Sequence, residues 1–132
     1  MIKTKFGNKR CTYNNIKFDS LAERDRYIEL RAMELSGKIS GLIVHGKGLT
    51  YTLVAGFKYQ TYQGETKTHR AITYIPDFGY FENGRWILED VKGQVTDVFK
   101  IKHKLFCLKY PELVLRIMKP RLKRGKRYFI EA

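Results

Sequence analysis

Two aspartates and one lysine are the residues of this sequence best suited to chemistry. Asp90 and Lys92 lie two apart in segment 85–92, which reads as a strand. Their side chains therefore project from one face, with Cα atoms about 6.5 Å apart. Asp77 lies on the preceding predicted strand, and the turn Asn83-Gly84 between the two strands favours a hairpin. Folding about that turn brings Asp77 opposite Asp90.

Like charges directly opposite each other destabilise a sheet, so this acid pair needs an explanation. Mg²⁺ prefers carboxylate oxygens and water, and would turn the repulsion into binding; Mn²⁺ is expected to substitute for it. A carboxylate pair with a metal and an adjacent lysine suits phosphodiester hydrolysis. The metal polarises the phosphate and activates water, and the lysine orients that water or stabilises charge on phosphorus. In the competing interpretation the acids are solvated hairpin residues and Lys92 is an ordinary strand-end lysine.

The elements around these residues predict an α/β (α+β) domain with a mixed central sheet. Ser20 and Glu23 form a capping box that opens a helix over 21–36. Strands are predicted over 42–44, 50–62, 69–81, 85–92 and 113–118, and a hairpin over 4–18 precedes this core. A second helix is predicted over 97–110, with lysines on the face opposite its spaced apolar residues, which are Val98, Ile101, Leu105 and Leu108.

The charge of the chain indicates a polyanionic partner. Its 132 residues suit one small domain, and 26 Lys+Arg against 13 Asp+Glu give a net charge of +13. Residues 119–127 are expected to form a loop or flexible tail, after which residues 128–130 could add a short strand, so the domain is predicted over 1–118 and a basic segment over 119–132. A solvated face or solubilising tail is the alternative. The candidate DNA contacts are Lys100, Lys104, Lys119, Arg121, Lys123, Arg124, Lys126 and Arg127.

Other classes of protein are disfavoured by composition. A hydrophobic fraction of 43% argues against global disorder. No run approaches the roughly 20 apolar residues of a membrane-spanning helix, and the N-terminus lacks the apolar run of a signal peptide. Cys11 and Cys107 lack metal-ligand spacing, which indicates a reducing compartment. We therefore expect a cytoplasmic protein, in the host cytoplasm if it is phage-encoded, without a membrane partner.

The motif Pro76-Asp77 followed by Asp90-Val91-Lys92 resembles the PD-(D/E)xK nuclease signature. Together with segments 18–27, 75–78 and 89–93, it is similar to small phage-encoded members of that superfamily. These are related to phage endonuclease I and RecU-type Holliday-junction resolvases. The resemblance covers about residues 8–118 and implies that Glu23 on the first helix completes the metal site. Many members have Glu where this chain has Asp90, and Glu89 offers a competing register without a lysine two residues on.

The resemblance implies a Mg²⁺-dependent DNA endonuclease. Its substrate would be a Holliday junction or other branched DNA in recombination, and paired cuts imply a homodimer. The catalytic set would be Glu23, Asp77, Asp90 and Lys92, with the three acids as metal ligands. Two alternatives stay open: a nicking or restriction-like nuclease acting on ordinary duplex, and a DNA-binding protein without catalysis. Glu23 could serve only as a capping residue, and the role of Gln94 is open.

Overall fold

A computed structural model describes residues 9–132. Residues 4–8 of the predicted N-terminal hairpin lie outside this range. The remainder forms the hairpin of β1 (Cys11–Tyr13) and β2 (Ile16–Phe18). Its turn is made by Asn14 and Asn15 with φ of 52° and 62°. Asparagine tolerates this left-handed conformation better than most residues, as the sequence suggested.

The first helix follows directly. Helix α1 covers Leu21–Leu35, and the Ser20 hydroxyl accepts a hydrogen bond from the Glu23 backbone N–H at 3.1 Å. The predicted capping serine is therefore present. A short strand, β3 (Ser40–Val44), and a 3-10 turn, Lys47–Leu49, come next.

The rest of the chain adds eight strands and one helix. They are β4 (Tyr51–Val54), β5 (Phe57–Gln60), β6 (Thr66–His69), β7 (Ile72–Tyr74), β8 (Phe78–Glu82), β9 (Arg85–Val91), α2 (Asp97–Lys109), β10 (Val114–Lys123) and β11 (Lys126–Glu131).

The two long strands predicted over 50–62 and 69–81 are wrong, because each is interrupted. The first divides at Gly56, where a side chain would begin only 3.1 Å from the backbone oxygen of His69. The second divides at Pro76, which has no N–H to donate to a ladder. The pieces pair as two separate ribbons, β4 with β7 and β5 with β6.

The central sheet has the strand order β11-β10-β9-β8-β3. β10 runs parallel to β9 and the other neighbours are antiparallel, so the sheet is mixed, as predicted. Helix α1 covers one face over a core that includes Phe18, Leu30 and Tyr80. Helix α2 and the β4–β7 ribbon cover the other face over Leu88 and Phe106. The molecule is therefore an α+β domain with a core on each side of its sheet.

The basic segment 119–127 is not a loop or tail. It belongs to the hairpin of β10 and β11, which turns at Arg124 and Gly125 with positive φ at both residues. Met118 is buried and Phe129 packs against the α1-side core. Apolar residues on one face are enough to hold a strand pair whose other positions are charged and solvated. In the sequence, the many charged residues obscure this alternation of apolar and charged positions. The central sheet extends past residue 118.

Helix α2 forms where the sequence predicted it, but it buries other side chains than its apolar spacing suggests. Phe99 and Phe106 are buried and Leu105 is half-buried against the same core, whereas Val98, Ile101 and Leu108 are exposed. The two phenylalanines pack against the ring of Tyr74 from the ribbon. Larger rings bury more apolar area, which explains why this face is turned inward. Within residues 9–132, no helix is both long and apolar enough to cross a membrane.

Candidate active site

Asp77 and Asp90 meet at one end of the β8–β9 hairpin. The pairing of Glu82 with Arg85 and of Phe78 with Glu89 is the register expected from the Asn-Gly turn. Asp77 directly precedes β8, and its Oδ2 accepts a hydrogen bond from the Val91 N–H at 2.8 Å. This bond fixes one Asp77 oxygen beside the end of β9, where Asp90 lies.

Glu23 reaches the same place from the first turn of α1. Its side chain is buried, with 8% of the residue exposed, and it lies close enough to Asp77 and Asp90 for both carboxyls to affect its pKa. The carboxyls of Asp90 and Glu23 likewise raise the pKa of Asp77. The structure therefore brings together the three predicted acids, which we call the acid cluster (Glu23, Asp77 and Asp90).

The acid cluster is electrostatically strained. Burial, followed by the neighbouring carboxylates of Asp19 and Asp90, raises the pKa of Glu23 to about 7 against the opposing effects of Asp77 and His45. Burial, followed by repulsion from Asp90 and Glu23, raises the pKa of Asp77 well above its usual value. Buried carboxyls of like charge resist ionising together, and a bound cation would reverse that resistance.

Asp90 has one engaged oxygen and one free oxygen. The residue is 2% exposed, and its Oδ2 accepts a hydrogen bond from the Tyr74 hydroxyl. Its Oδ1 is buried and has no hydrogen-bond partner among residues 9–132. The Lys92 Nζ lies 3.4 Å from this Oδ1, an ion-pair contact that does not meet hydrogen-bond geometry, and 4.6 Å from the Phe99 ring centre. Burial, followed by the Asp90 charge, raises the pKa of Tyr74, which keeps its hydroxyl a donor.

The residues of the acid cluster fit a divalent cation in their chemistry. Carboxylate oxygens are the ligands that Mg²⁺ and Mn²⁺ prefer, and a buried acceptor without a partner requires an explanation such as an ion. As the side chains stand, no group of three or more His, Cys, Asp and Glu residues in the described part of the chain is arranged to hold a metal. The fit therefore rests on the donor atoms and on the free Oδ1 of Asp90.

Glu89 lies on the opposite face of the sheet and has different partners. It is fully buried, and its two oxygens accept hydrogen bonds from the Arg26 guanidinium, both at 2.8 Å. The Tyr80 hydroxyl also donates to it, and the Arg116 Nη1 lies 3.7 Å away. Glu89 is thereby occupied by a buried ion pair on the α1 side, which leaves Asp90 as the acid beside Lys92.

Two clefts meet at the acid cluster. A cleft of about 710 Å³ is lined by Glu23, Asp77 and Lys92 together with Arg121 and Arg127 from the β10–β11 hairpin. A second cleft, of about 410 Å³, shares Asp77 and Lys92 with the first. The start of α1 lines the larger cleft, and the start of α2 lines the smaller one. Helix N-termini favour anions, which partly offsets the charge of the acids that line both clefts.

The predicted DNA contacts divide into two groups. Arg121 and Arg127 line the larger cleft, although Arg127 also forms an ion pair with Asp25 of α1. The others lie outside the lining of both clefts: Lys119, Lys123, Arg124 and Lys126 on the hairpin, and Lys100 and Lys104 exposed on α2. Gln94 is exposed in the turn after β9.

Sequence reasoning missed three residues of the site. Asp19 lines both clefts, and Lys102, rather than Lys100 or Lys104, lines the smaller one. The Tyr74 hydroxyl on β7 donates a hydrogen bond to Asp90 on β9. The position of Asp19 next to the N-cap Ser20 was a usable signal, because an acid there points at the start of α1. The Tyr74 contact had no local signal, since it joins β7 to β9.

The fold and site define a mixed α+β domain with an acid cluster at one end of its sheet and a lysine beside it. The chain belongs to the family described as protein of unknown function (DUF1064), whose family model matches residues 3–125. This span includes α1, the β8–β9 hairpin and β10, and it ends directly before β11. No curated protein and no solved structure matches the chain.

Proposed function

We propose that this protein is a metal-dependent DNA endonuclease with a PD-(D/E)xK core, and that it cuts branched DNA such as Holliday junctions. The observation that carries the proposal is the free buried Oδ1 of Asp90 beside two carboxyls of raised pKa. A lysine amine lies next to that oxygen. This combination of oxygen donors and a cation is suited to phosphodiester hydrolysis.

Glu23, Asp77 and Asp90 would hold Mg²⁺ or Mn²⁺. Such a cation, when bound, would polarise the scissile phosphate and offset the charge that develops on it. Tyr74 holds Oδ2 of Asp90 and thereby directs Oδ1 away from itself, while the Val91 N–H holds one oxygen of Asp77. Both contacts orient ligand oxygens before substrate arrives.

Lys92 has the role of positioning the attacking water or stabilising charge on phosphorus. Its amine is held between Asp90 and the Phe99 ring, and 30% of its side chain is exposed toward the clefts. A half-exposed amine next to metal ligands can contact both the solvent and a phosphate oxygen. A positioned charge of this kind contributes about 10²- to 10⁴-fold to rate.

The surroundings of the acid cluster favour DNA as the substrate. A net charge of +13 attracts a polyanion, and Arg121 and Lys102 line the two clefts that meet at the acids. Paired cuts across a four-way junction require two sites, so we propose a homodimer. We also propose the cytoplasm as its location, where Cys11 and Cys107 remain free thiols.

The decisive experiment incubates the protein with labelled four-way junctions and Mg²⁺. The wild type should cut, Asp77→Ala should lose activity, and Lys92→Ala should lose about 10²-fold or more. Glu112→Gln, an exposed acid outside the clefts, is the matched control and should cut like the wild type. Equal rates for wild type and Asp77→Ala would refute the catalytic proposal.

Two further measurements separate the alternatives. Comparing junction, flap and linear duplex identifies the substrate, since preferential cutting of linear duplex would indicate a nicking or restriction-like nuclease. Calorimetry with Mg²⁺ and Mn²⁺ tests the metal site directly. Absence of binding, together with intact DNA affinity, would identify a DNA-binding protein without catalysis.

A further inference from the structure

The β5–β6 ribbon (residues 57–69) has no role in the acid cluster, yet it carries an unusual surface. All eight residues of its two strands are exposed. The ribbon therefore packs on no core of its own, although its strands are rich in aromatic residues. A two-stranded ribbon without a buried face is only marginally stable in water. Its aromatic side chains are not buried, so they contribute little to the stability of the domain.

The register collects the rings on one face. Phe57 lies opposite His69, and Tyr59 lies opposite Lys67. The Tyr59 and His69 rings stack with centres 4.4 Å apart and planes at 17°, and Phe57 meets His69 at 5.1 Å. Phe57 and Tyr59 keep 52% and 38% of their surface exposed. We call this row the aromatic platform (Phe57, Tyr59, Lys67 and His69).

The positive charge of the ribbon indicates which kind of partner would bind to the aromatic platform. Between residues 55 and 71 the chain has three cations, Lys58, Lys67 and Arg70, against a single acid, Glu65, and Lys67 shares the face of the rings. Rings accompanied by cations on exposed strands match how sheets bind single-stranded nucleic acid, with bases on the rings and phosphates on the cations. A protein partner with an apolar surface would leave these cations unmatched.

The platform is joined to the candidate active site through the chain itself. β6 ends at His69, and β7 carries Tyr74, whose hydroxyl contacts Asp90. At an extended rise the five residue steps from His69 to Tyr74 span at most about 17 Å. A strand lying on the platform would therefore pass near the acid cluster.

We propose that the aromatic platform binds unpaired bases of single-stranded DNA, and that it holds such a strand next to the acid cluster. This inference rests on the proposed function for the cutting of the strand, but binding itself needs no metal. It predicts that the protein prefers DNA with unpaired bases over a fully paired duplex of the same length.

The test measures anisotropy of a fluorescein-labelled single strand of mixed sequence and of the matching duplex, with EDTA present. The variant Phe57→Ala/Tyr59→Ala should bind the single strand about tenfold or more weakly, the loss expected for one stacked base. Its affinity for the duplex should change less than twofold. The conservative variant Phe57→Tyr/Tyr59→Phe, which keeps both rings, should bind like the wild type.

Tyr128→Ala is the matched control, because Tyr128 is 44% exposed on β11, away from the platform. Equal losses for single strand and duplex, or no loss for either, would overturn the inference. Thermal unfolding checks that each variant is folded. A wild type that binds single strands in EDTA but cuts no DNA with Mg²⁺ would refute only the proposed function. A double variant that binds as well as an active wild type would refute only the platform.

Discussion

The buried ion pair between Arg26 and Glu89 should dominate the response of this protein to single substitutions. Glu89 has no exposed side-chain surface and that of Arg26 is 9% exposed, so neither charge can be rescued by water. Removing one partner of such a pair costs about 3–5 kcal/mol, because the other charge stays buried. We therefore expect Arg26→Met to lower the free energy of unfolding by that amount, and Glu89→Leu to lower it by the lower end of that range, because Arg26 keeps its 2.7 Å ion pair with Glu29.

The double variant Arg26→Met/Glu89→Leu should be more stable than either single one. It removes both charges and replaces them with apolar groups of similar volume, which is often neutral. The Tyr80 hydroxyl and Arg116 also lose their contact with Glu89, so part of the loss should persist. For a domain of this size, a loss of 3–5 kcal/mol corresponds to a fall in Tm of about 10–20 °C.

Urea unfolding followed by fluorescence of Trp86 provides the assay. The exposed pair Asp97 and Lys100, at 4.0 Å on α2, is the matched control. Its Met/Leu replacements should each cost about 1 kcal/mol or less. The reasoning is wrong if either buried substitution costs less than 1 kcal/mol, or if the double variant is no more stable than the single ones.

Three further outcomes follow from the charges. Because folding raises the pKa of Glu23 from 4.5 to about 7, its contribution is fully present below pH 4.5 and is lost as pH rises through 7, by up to about 3 kcal/mol. Metal-free Glu23→Gln should lack this loss, and identical pH profiles of unfolding for the two proteins would contradict it. Asp90→Asn should abolish cleavage. Because it removes carboxylate repulsion, it should also raise the free energy of unfolding of the metal-free protein by about 1 kcal/mol, as measured by calorimetric melting in EDTA. Arg121→Ala and Lys123→Ala should each weaken duplex binding and lower the slope of log affinity against log salt by about 1, in titrations from 50 to 200 mM salt. An unchanged slope would show that these side chains do not meet phosphate.

The parts of the site that local sequence rules govern could be predicted. The Asn83-Gly84 turn fixes the β8–β9 register, and this register predicts that Asp77 and Asp90 are neighbours. The capping serine fixes where α1 begins, which predicts that Glu23 lies in its first turn.

The parts that depend on distant contacts could not be predicted. Arg26 and Glu89 are 63 residues apart, and no local pattern shows that they pair. The β10–β11 hairpin was difficult to predict because most of its residues are charged. Only a few apolar side chains, including Met118 and Phe129, attach it to the core. On α2, aliphatic spacing pointed to one face, whereas packing against the Tyr74 ring selected the face of Phe99 and Phe106.

The parallel pairing of β10 with β9 has a consequence for kinetics. A parallel pair cannot close through a tight turn, so β10 joins β9 only after the chain has crossed over through α2. Such long-range closure is slow, and it completes the environment of β9 late in folding. We expect Glu23 and Asp90, which belong to distant segments, to meet only after the rate-limiting step. A cation bound by both should therefore slow unfolding while leaving the folding rate nearly unchanged.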